Sequence, residues 1–431
     1  MSSTATRYVP WDRAPAVKPL AEHCTGGAQR KETDMESRWS LVAAGLGVAA
    51  LIASAGPALA KDALKIGVPT ALTGPYADLG NQAKRAVVFA VDEANAAGGV
   101  DGRKVEAEFL DTEAKPDLAR RQAEKLALQG YRILTGTIAS GEGLAMAPML
   151  ERWDALYVST INKADKLTGE ACQMRLFRVN HPDRTDAAVV RPWLATRNEK
   201  KWAIMAADMA WGRDSGSSFK AAAEAVGKQV VLENYSQFGS NDYAPFIQKI
   251  KDAGADGLWV ALAGRDAITF ATQAKQFGLL DRVLTAGVSF VTDNTVNTLG
   301  DASRGVWGII NYSSTLDTPE NKKFVADWAV KYPGTQPTNF EGETYVGMQV
   351  IFQAVKKADS VKPNDLAKTM AGMTFDTVYG RQLMRKQDHQ LVSPNFFGYV
   401  GEQGGKLRPI VTMTVPAEQA TPPPDATCKL E

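Results

Sequence analysis

From Leu64 onward, short apolar runs alternate with longer segments whose apolar residues recur at helical spacing. Few folds accept such a pattern. Strands are expected at 64–69, 105–111, 133–136 and 156–159, with helices at 80–97 and 116–129. In the first helix the apolar positions 83, 86, 87, 90, 91 and 94 lie on one face, and Gly98-Gly99 ends it. The rhythm restarts with strands at 202–207, 230–235, 257–261, 283–286 and 306–310, and helices at 214–226, 243–253 and 266–277. Alternation of this kind implies parallel sheets covered by helices on both faces. The expected fold class is therefore α/β, with two such units dividing near Pro182. Three helices in succession, at 319–331, 344–358 and 364–370, break the alternation. Lacking strands of their own, they are expected to return to the first sheet. Ligands of open parallel sheets bind beyond the carboxyl ends of the strands, so two facing sheets would enclose a cleft there.

The chain has 431 residues, 45% of them hydrophobic, enough to core two domains. Its formal net charge of +1 gives no electrostatic reason for a nucleic-acid partner. Near the start, Met35 opens a short stretch containing Arg38. An apolar run from Leu41 to Ala55 follows, then Gly56-Pro57 and Ala58-Leu59-Ala60. A basic start, a short apolar middle and an Ala-x-Ala end are the marks of a secretory signal peptide, with cleavage expected after Ala60. A buried core helix is the alternative. Residues 1–34, polar and broken by Pro10, Pro15 and Pro19, do not suit the front of such a signal and are expected to be a non-native extension. Past residue 60 two cysteines remain, Cys172 and Cys428. In an oxidising compartment they can pair, or stay as two thiols.

No catalytic constellation is legible. Only His181 and His389 lie beyond residue 60, and H-E-x-x-H, G-x-S-x-G, the P-loop and C-x-x-C are all missing from the sequence. The chain is expected to be no enzyme and to carry no cofactor and no metal.

Residues 65–119 carry a family likeness. Thr73-Gly74-Pro75 follows the first strand, Asn95 to Gly102 closes the first helix, and Asp111 ends the second strand. Phe177-Arg178, Trp211-Gly212, Asp242-Tyr243 and the stretch from Ile250 to Asp256 continue the pattern in order. From about residue 61 to 400 the chain resembles the type I periplasmic binding proteins, branched-chain amino-acid subgroup. The resemblance implies two Rossmann-like lobes, three hinge crossings and closure around a small ligand like a flytrap. It also implies delivery to the permease and ATPases of an ABC importer, by a periplasmic monomer. The lobes are expected to comprise 61–181 with 314–384, and 182–313 with 385–415, leaving 416–431 as a Pro-rich tail.

The resemblance also places the ligand site. The first lobe would use Ser140 and Gly141 after its third strand, and Ile161, Asn162 and Lys163 after its fourth, with Tyr76 reaching in from the Gly-Pro loop. Strand-end hydroxyls and N–H groups suit an anion, and Lys163 would add full charge. A helix cap for Ser140 and a solvated surface for Lys163 or Tyr76 are the plainer alternatives. The second lobe would supply Trp211 as a flat lid on a loop, core packing being its alternative. Family members that bind amino acids carry an acidic residue after the strand ending near Ala286. Here that stretch is Ala286-Gly287-Val288-Ser289-Phe290, and the neighbouring segment is Leu262-Ala263-Gly264-Arg265. An ammonium buried there without an anion would be costly. The expected ligand is a carboxylate, an aromatic or branched organic acid, with Lys163 and Arg265 supplying charge and Val288 on the wall. The alternatives are a branched-chain amino acid or amide, or a sensing role with a separate receptor. N-terminal sequencing of the exported protein should read from Lys61; a mature start far from there refutes the signal.

Overall fold

The computed structural model describes residues 61–430. The expected extension and signal peptide, 1–60, lie outside the described residues.

The first sheet is built from β1 (Leu64–Thr70), β2 (Val105–Asp111), β3 (Ile133–Thr135), β4 (Leu156–Ser159) and β5 (Leu176–Arg178). Its order is β2-β1-β3-β4-β5, and every pairing is parallel. The helices α1 (Ala77–Ala96), α2 (Pro116–Leu128) and α3 (Ser140–Met146) connect the strands. Strand β4 reads Leu-Tyr-Val-Ser and is buried at every position, as a strand covered on both faces must be.

The second sheet takes over after α4 (Asp183–Ala195). It uses β6 (Lys201–Ala207), β7 (Gln229–Ser236), β8 (Gly257–Ala261), β9 (Leu284–Val288) and β10 (Trp307–Ile310), connected by α5 (Ala210–Glu224), α6 (Ala244–Asp252), α7 (Gly264–Gln276) and α8 (Asp293–Leu299). The chain then returns as α9 (Pro319–Lys331), α10 (Asn339–Ala358) and α11 (Pro363–Met370), and adds a small sheet of β11 (Thr374–Thr377), β12 (Gly380–Met384) and β13 (Leu391–Val392). As the sequence suggested, α10 packs along α1 of the first lobe. Finally β14 (Asn395–Gln403) and β15 (Lys406–Val415) extend the second sheet, followed by α12 (Ala417–Ala420). The completed order is β15-β14-β10-β9-β8-β6-β7, with β14 and β15 antiparallel. Strand β15 carries Pro409, which has no N–H to donate, and it lies at the sheet edge where that is tolerated.

The chain thus passes between the sheets at 179–183, 311–318 and 393–394. The boundary anticipated at 385 falls ahead of β13, which still pairs with β12. Helix α10 begins at Asn339 rather than 344 because Thr338 and Glu341 form a capping box. The Glu341 backbone N–H donates to Thr338 Oγ1 at 3.4 Å, and the Thr338 N–H donates to Glu341 Oε2 at 2.8 Å.

The C-terminal tail does not hang free. Helix α12 touches α4, Arg184 pairs with Asp425, and Arg385 donates to the Pro422 carbonyl at 2.6 Å. Cys428 is disulfide-bonded to Cys172, with a Cα–Cα distance of 5.6 Å across 256 residues of sequence. The tail therefore links the end of the second sheet to the first lobe. Cross-linking so long a loop restricts the unfolded chain. Replacing both cysteines with serine should lower stability by about 2–4 kcal/mol in denaturant unfolding; an unchanged midpoint would show that the cross-link adds nothing to the fold.

Candidate functional site

The carboxyl ends of the two sheets face one another across a closed cleft. Between them lies a small cavity of about 20 Å³, lined by Tyr76, Leu79, Ile138, Ser140, Ile161, Lys163, Trp211, Ala263, Ser289 and Phe340. Most of this wall follows a strand: Tyr76 after β1, Ile138 and Ser140 after β3, Ile161 and Lys163 after β4, Trp211 after β6, Ala263 after β8, Ser289 after β9. Phe340 comes from the first turn of α10, placed by the capping box.

Each loop is fixed by local chemistry. Asp111 ends β2 and accepts from the Leu72 N–H at 2.8 Å, the Glu113 N–H at 2.9 Å and the Thr73 hydroxyl at 2.6 Å. This anchors the Thr73-Gly74-Pro75 turn and so aims Tyr76. Burial opposes the charge of Asp111, but the bonds from Thr73, Glu113 and Leu72 together hold its carboxyl below the usual range. Glu142 pins the loop after β3, accepting through Oε2 from the Ile138 N–H at 2.9 Å and the Ala139 N–H at 2.6 Å. Burial pushes its carboxyl up to about 7. Ser140 Oγ accepts from the Lys163 and Ala164 N–H groups, each at 3.0 Å, tying the two first-lobe loops together. From behind, the buried Arg178 guanidinium donates to the Ala164 carbonyl at 2.6 Å and the Lys163 carbonyl at 3.3 Å.

The lobes meet directly around the cavity. The Tyr76 ring packs edge-on against Phe238 at 4.8 Å, and its hydroxyl lies 3.8 Å from Met209 Sδ. The Arg265 N–H donates to the Pro75 carbonyl at 3.1 Å, and the Asp165 N–H to Asp214 Oδ2 at 2.9 Å. Gly264 makes the approach possible. Its φ is +55°, and a Cβ there would stand 2.7 Å from the Pro75 oxygen. Ser289 has a φ of +56°, in the left-handed region a non-glycine residue seldom occupies.

Of the residues expected at the site, Tyr76, Ser140, Ile161, Lys163 and Trp211 are on the cavity wall. Gly141, Asn162, Val288 and Arg265 are not. Gly141 faces Pro116. Asn162 turns inward, accepting from Thr137 at 2.7 Å and Tyr157 at 2.5 Å. Val288 is buried in the end of β9. Arg265 is exposed, because α7 starts at Gly264 and turns its second residue outward. Trp211 is buried in the first turn of α5 rather than on a loop. Lys163 is on the wall, yet its ammonium is committed elsewhere. It lies 3.2 Å from Asp186 Oδ1 and donates to the His181 carbonyl at 3.3 Å. Both side chains of that pair are at most 5% exposed, so this is a buried ion pair and not a solvated lysine. The expectation that Arg265 and Lys163 offer free positive charge is therefore corrected for both. Leu79, Ile138, Ala263, Ser289 and Phe340 escaped sequence reasoning. Ala263 and Ser289 did lie in the two segments singled out for their missing polar groups.

Among the described residues no His, Cys, Asp and Glu cluster could hold a metal, and no helix is long and apolar enough to cross a membrane.

Two parallel-sheet lobes shut on a small, mostly apolar cavity make a solute-binding clamp. Residues 63–406 match the family described as periplasmic binding protein, and the chain belongs to it, in the type I branch of the Leu/Ile/Val-binding proteins. The chain is similar to the leucine-, isoleucine-, valine-, threonine- and alanine-binding protein of Pseudomonas aeruginosa: 25% identical over 325 residues, 75% of this chain and 86% of that one. It is 28% identical over 348 residues to Leu/Ile/Val-binding protein homolog 8 of Brucella suis, covering 77% and 85%. Among solved structures it resembles the ABC-transporter solute-binding protein of Rhodopseudomonas palustris BisB5 in complex with 3,4-dihydroxybenzoic acid. The TM-score is 0.76 at 25% identity, covering 83% of this chain and 98% of the other. The protein is thus a periplasmic solute-binding component of an ABC transporter, taking a small-molecule ligand, and not an enzyme.

Asp111→Asn should lower stability by about 1–3 kcal/mol at pH 7, since bonds to a charged acceptor are lost. A lowered carboxyl pKa contributes stability above the unfolded pKa and loses it as pH falls through the folded value. The gap between variant and parent should therefore shrink toward pH 3 in denaturant titrations; a gap constant with pH would mean the charge is not what matters.

Proposed function

We propose that the ligand is a small aromatic carboxylate lacking an amino group, bound by a monomeric clamp that delivers it to a permease and ATPases. The observation that carries this is the wall itself. Three rings, Tyr76, Trp211 and Phe340, and four aliphatic side chains surround it, and no carboxylate is among the lining residues. An α-ammonium would be buried without an anion, which is costly. A flat ring can instead stack on the aromatic faces. The hydroxyls of Ser140, Ser289 and Tyr76 and the indole N–H of Trp211 are the polar groups among the lining residues left to hold a carboxylate. The similar R. palustris protein in complex with 3,4-dihydroxybenzoic acid supports this class. The relatives named for leucine, isoleucine and valine keep a branched-chain ligand as the second reading.

The lobes would work by population shift. A ligand touching both favours the closed form by its extra contacts there, and the closed form presents the surface the importer reads.

Calorimetry with benzoate, hydroxybenzoates, branched 2-oxo acids and leucine tests the class. Benzoates should bind and leucine should not; tight leucine binding with silence from every acid overturns the proposal. Trp211→Ala should weaken benzoate binding by about 1–3 kcal/mol. An unchanged dissociation constant would remove Trp211 from the ligand's surroundings.

A further inference from the structure

Asp186, the partner of Lys163, belongs to a buried group of three carboxyls. Asp183 and Asp186 come from the first turn of α4, in the first crossing between lobes, and Glu343 from α10. All are at most 2% exposed. Only Asp186 Oδ1 meets the lysine, at 3.2 Å. Both oxygens of Asp183, both of Glu343 and Asp186 Oδ2 find no hydrogen-bond partner among the described residues. Lys163 lines the cavity, whereas none of the three carboxyls does. The ammonium is thus bonded to groups, Asp186 and the His181 carbonyl, that are not part of the cavity wall. Burial alone would push the lysine ammonium to shed its proton, and Asp186, Asp183 and Glu343 outweigh that to keep it charged. Burial in turn drives the carboxyls up, Asp186 to about 6 and Glu343 to about 8.

We infer that Asp186 is a specificity-determining positioning residue: it draws the Lys163 ammonium out of the cavity, so that the ligand meets an aliphatic stem instead of a charge. The consequence is selectivity by charge number. A ligand with one anionic group, held by hydroxyls, is accommodated. A second anionic group on the same scaffold meets no free cation and must be desolvated without one. Once the Asp186 carboxylate is removed, the ammonium loses its one directly bonded carboxylate, and a dianion in the cavity can compete for it with the His181 carbonyl and the remaining carboxyls. The same chain should then accept dianions. This builds on the proposed aromatic-acid site, but its logic concerns charge and not the ring.

The test compares benzoate with isophthalate, its counterpart bearing a second carboxylate, by calorimetry at pH 7.5. The parent protein should prefer benzoate. In Asp186→Asn the ratio of the two dissociation constants should shift at least tenfold toward isophthalate, and Asp186→Ser should do the same should the amide fail to fold. Asp186→Glu keeps the counter-ion and should keep the parent's ratio. Adding Lys163→Gln to Asp186→Asn should abolish the shift, which a merely structural role for Asp186 would not require. A ratio unmoved by both removal variants, or a shift that survives loss of the lysine, overturns the inference. Should the parent bind leucine and ignore benzoate, the aromatic class fails, and leucine against glutamate then judges the role of Asp186 by the same criteria.

Discussion

Parallel strand pairing governs this molecule. Parallel neighbours cannot be joined by a tight turn, so each strand is followed by a helix that carries the chain back across the sheet. Every strand of such a sheet then ends on the same edge, and every strand-to-helix loop is gathered there. Two sheets of this kind, facing edge to edge, bring the loops after β1, β3, β4, β6, β8 and β9 within one ligand's breadth of each other. A small cavity can thus be walled by residues from Tyr76 to Phe340, far apart in the chain. It also explains why the loops carry so many local anchors. Asp111, Glu142, Ser140 and Arg178 satisfy backbone groups that a buried loop would otherwise leave unpaired.

The contact between lobes has a different character. It includes a ring edge, a backbone bond to Pro75, an aspartate accepting one N–H, and the close approach at Gly264. Contacts of this kind can be broken and remade, as a clamp requires. The tail adds a covalent counterpart, returning from β15 to Cys172 beside the first crossing.

Charge is the least local property of the site. Lys163 and Arg265 are cations beside the cleft in sequence order, and both could be read as anchors for an anion. The fold gives each another task. Helix α7 turns Arg265 outward, and the start of α4 sets Asp186 against Lys163. With both cations engaged elsewhere, shape and desolvation weigh more heavily in what the apolar wall admits.

Strands β1–β4 and β6–β10, helices α1, α2 and α5–α7, and the return of three late helices were legible because hydrophobic periodicity is written residue by residue and needs no partner; the short β5, α3 and α8, the helix α4 and the small sheet β11–β13 were not. The positions of Tyr76, Ser140, Ile161, Lys163 and Trp211 were implied by the family resemblance, and the cavity wall includes all five, whereas Gly141, Asn162, Val288 and Arg265, equally close to strand ends, lie off it. The tertiary structure alone decided that Asn162 turns inward to Thr137 and Tyr157, that Phe340 enters the wall from a helix outside the first run of strands, and that β14 and β15 complete the second sheet. It also decided what Lys163 faces. The direction of a side chain and the partner of a charge depend on groups brought together from distant parts of the chain, and no spacing within a loop encodes them.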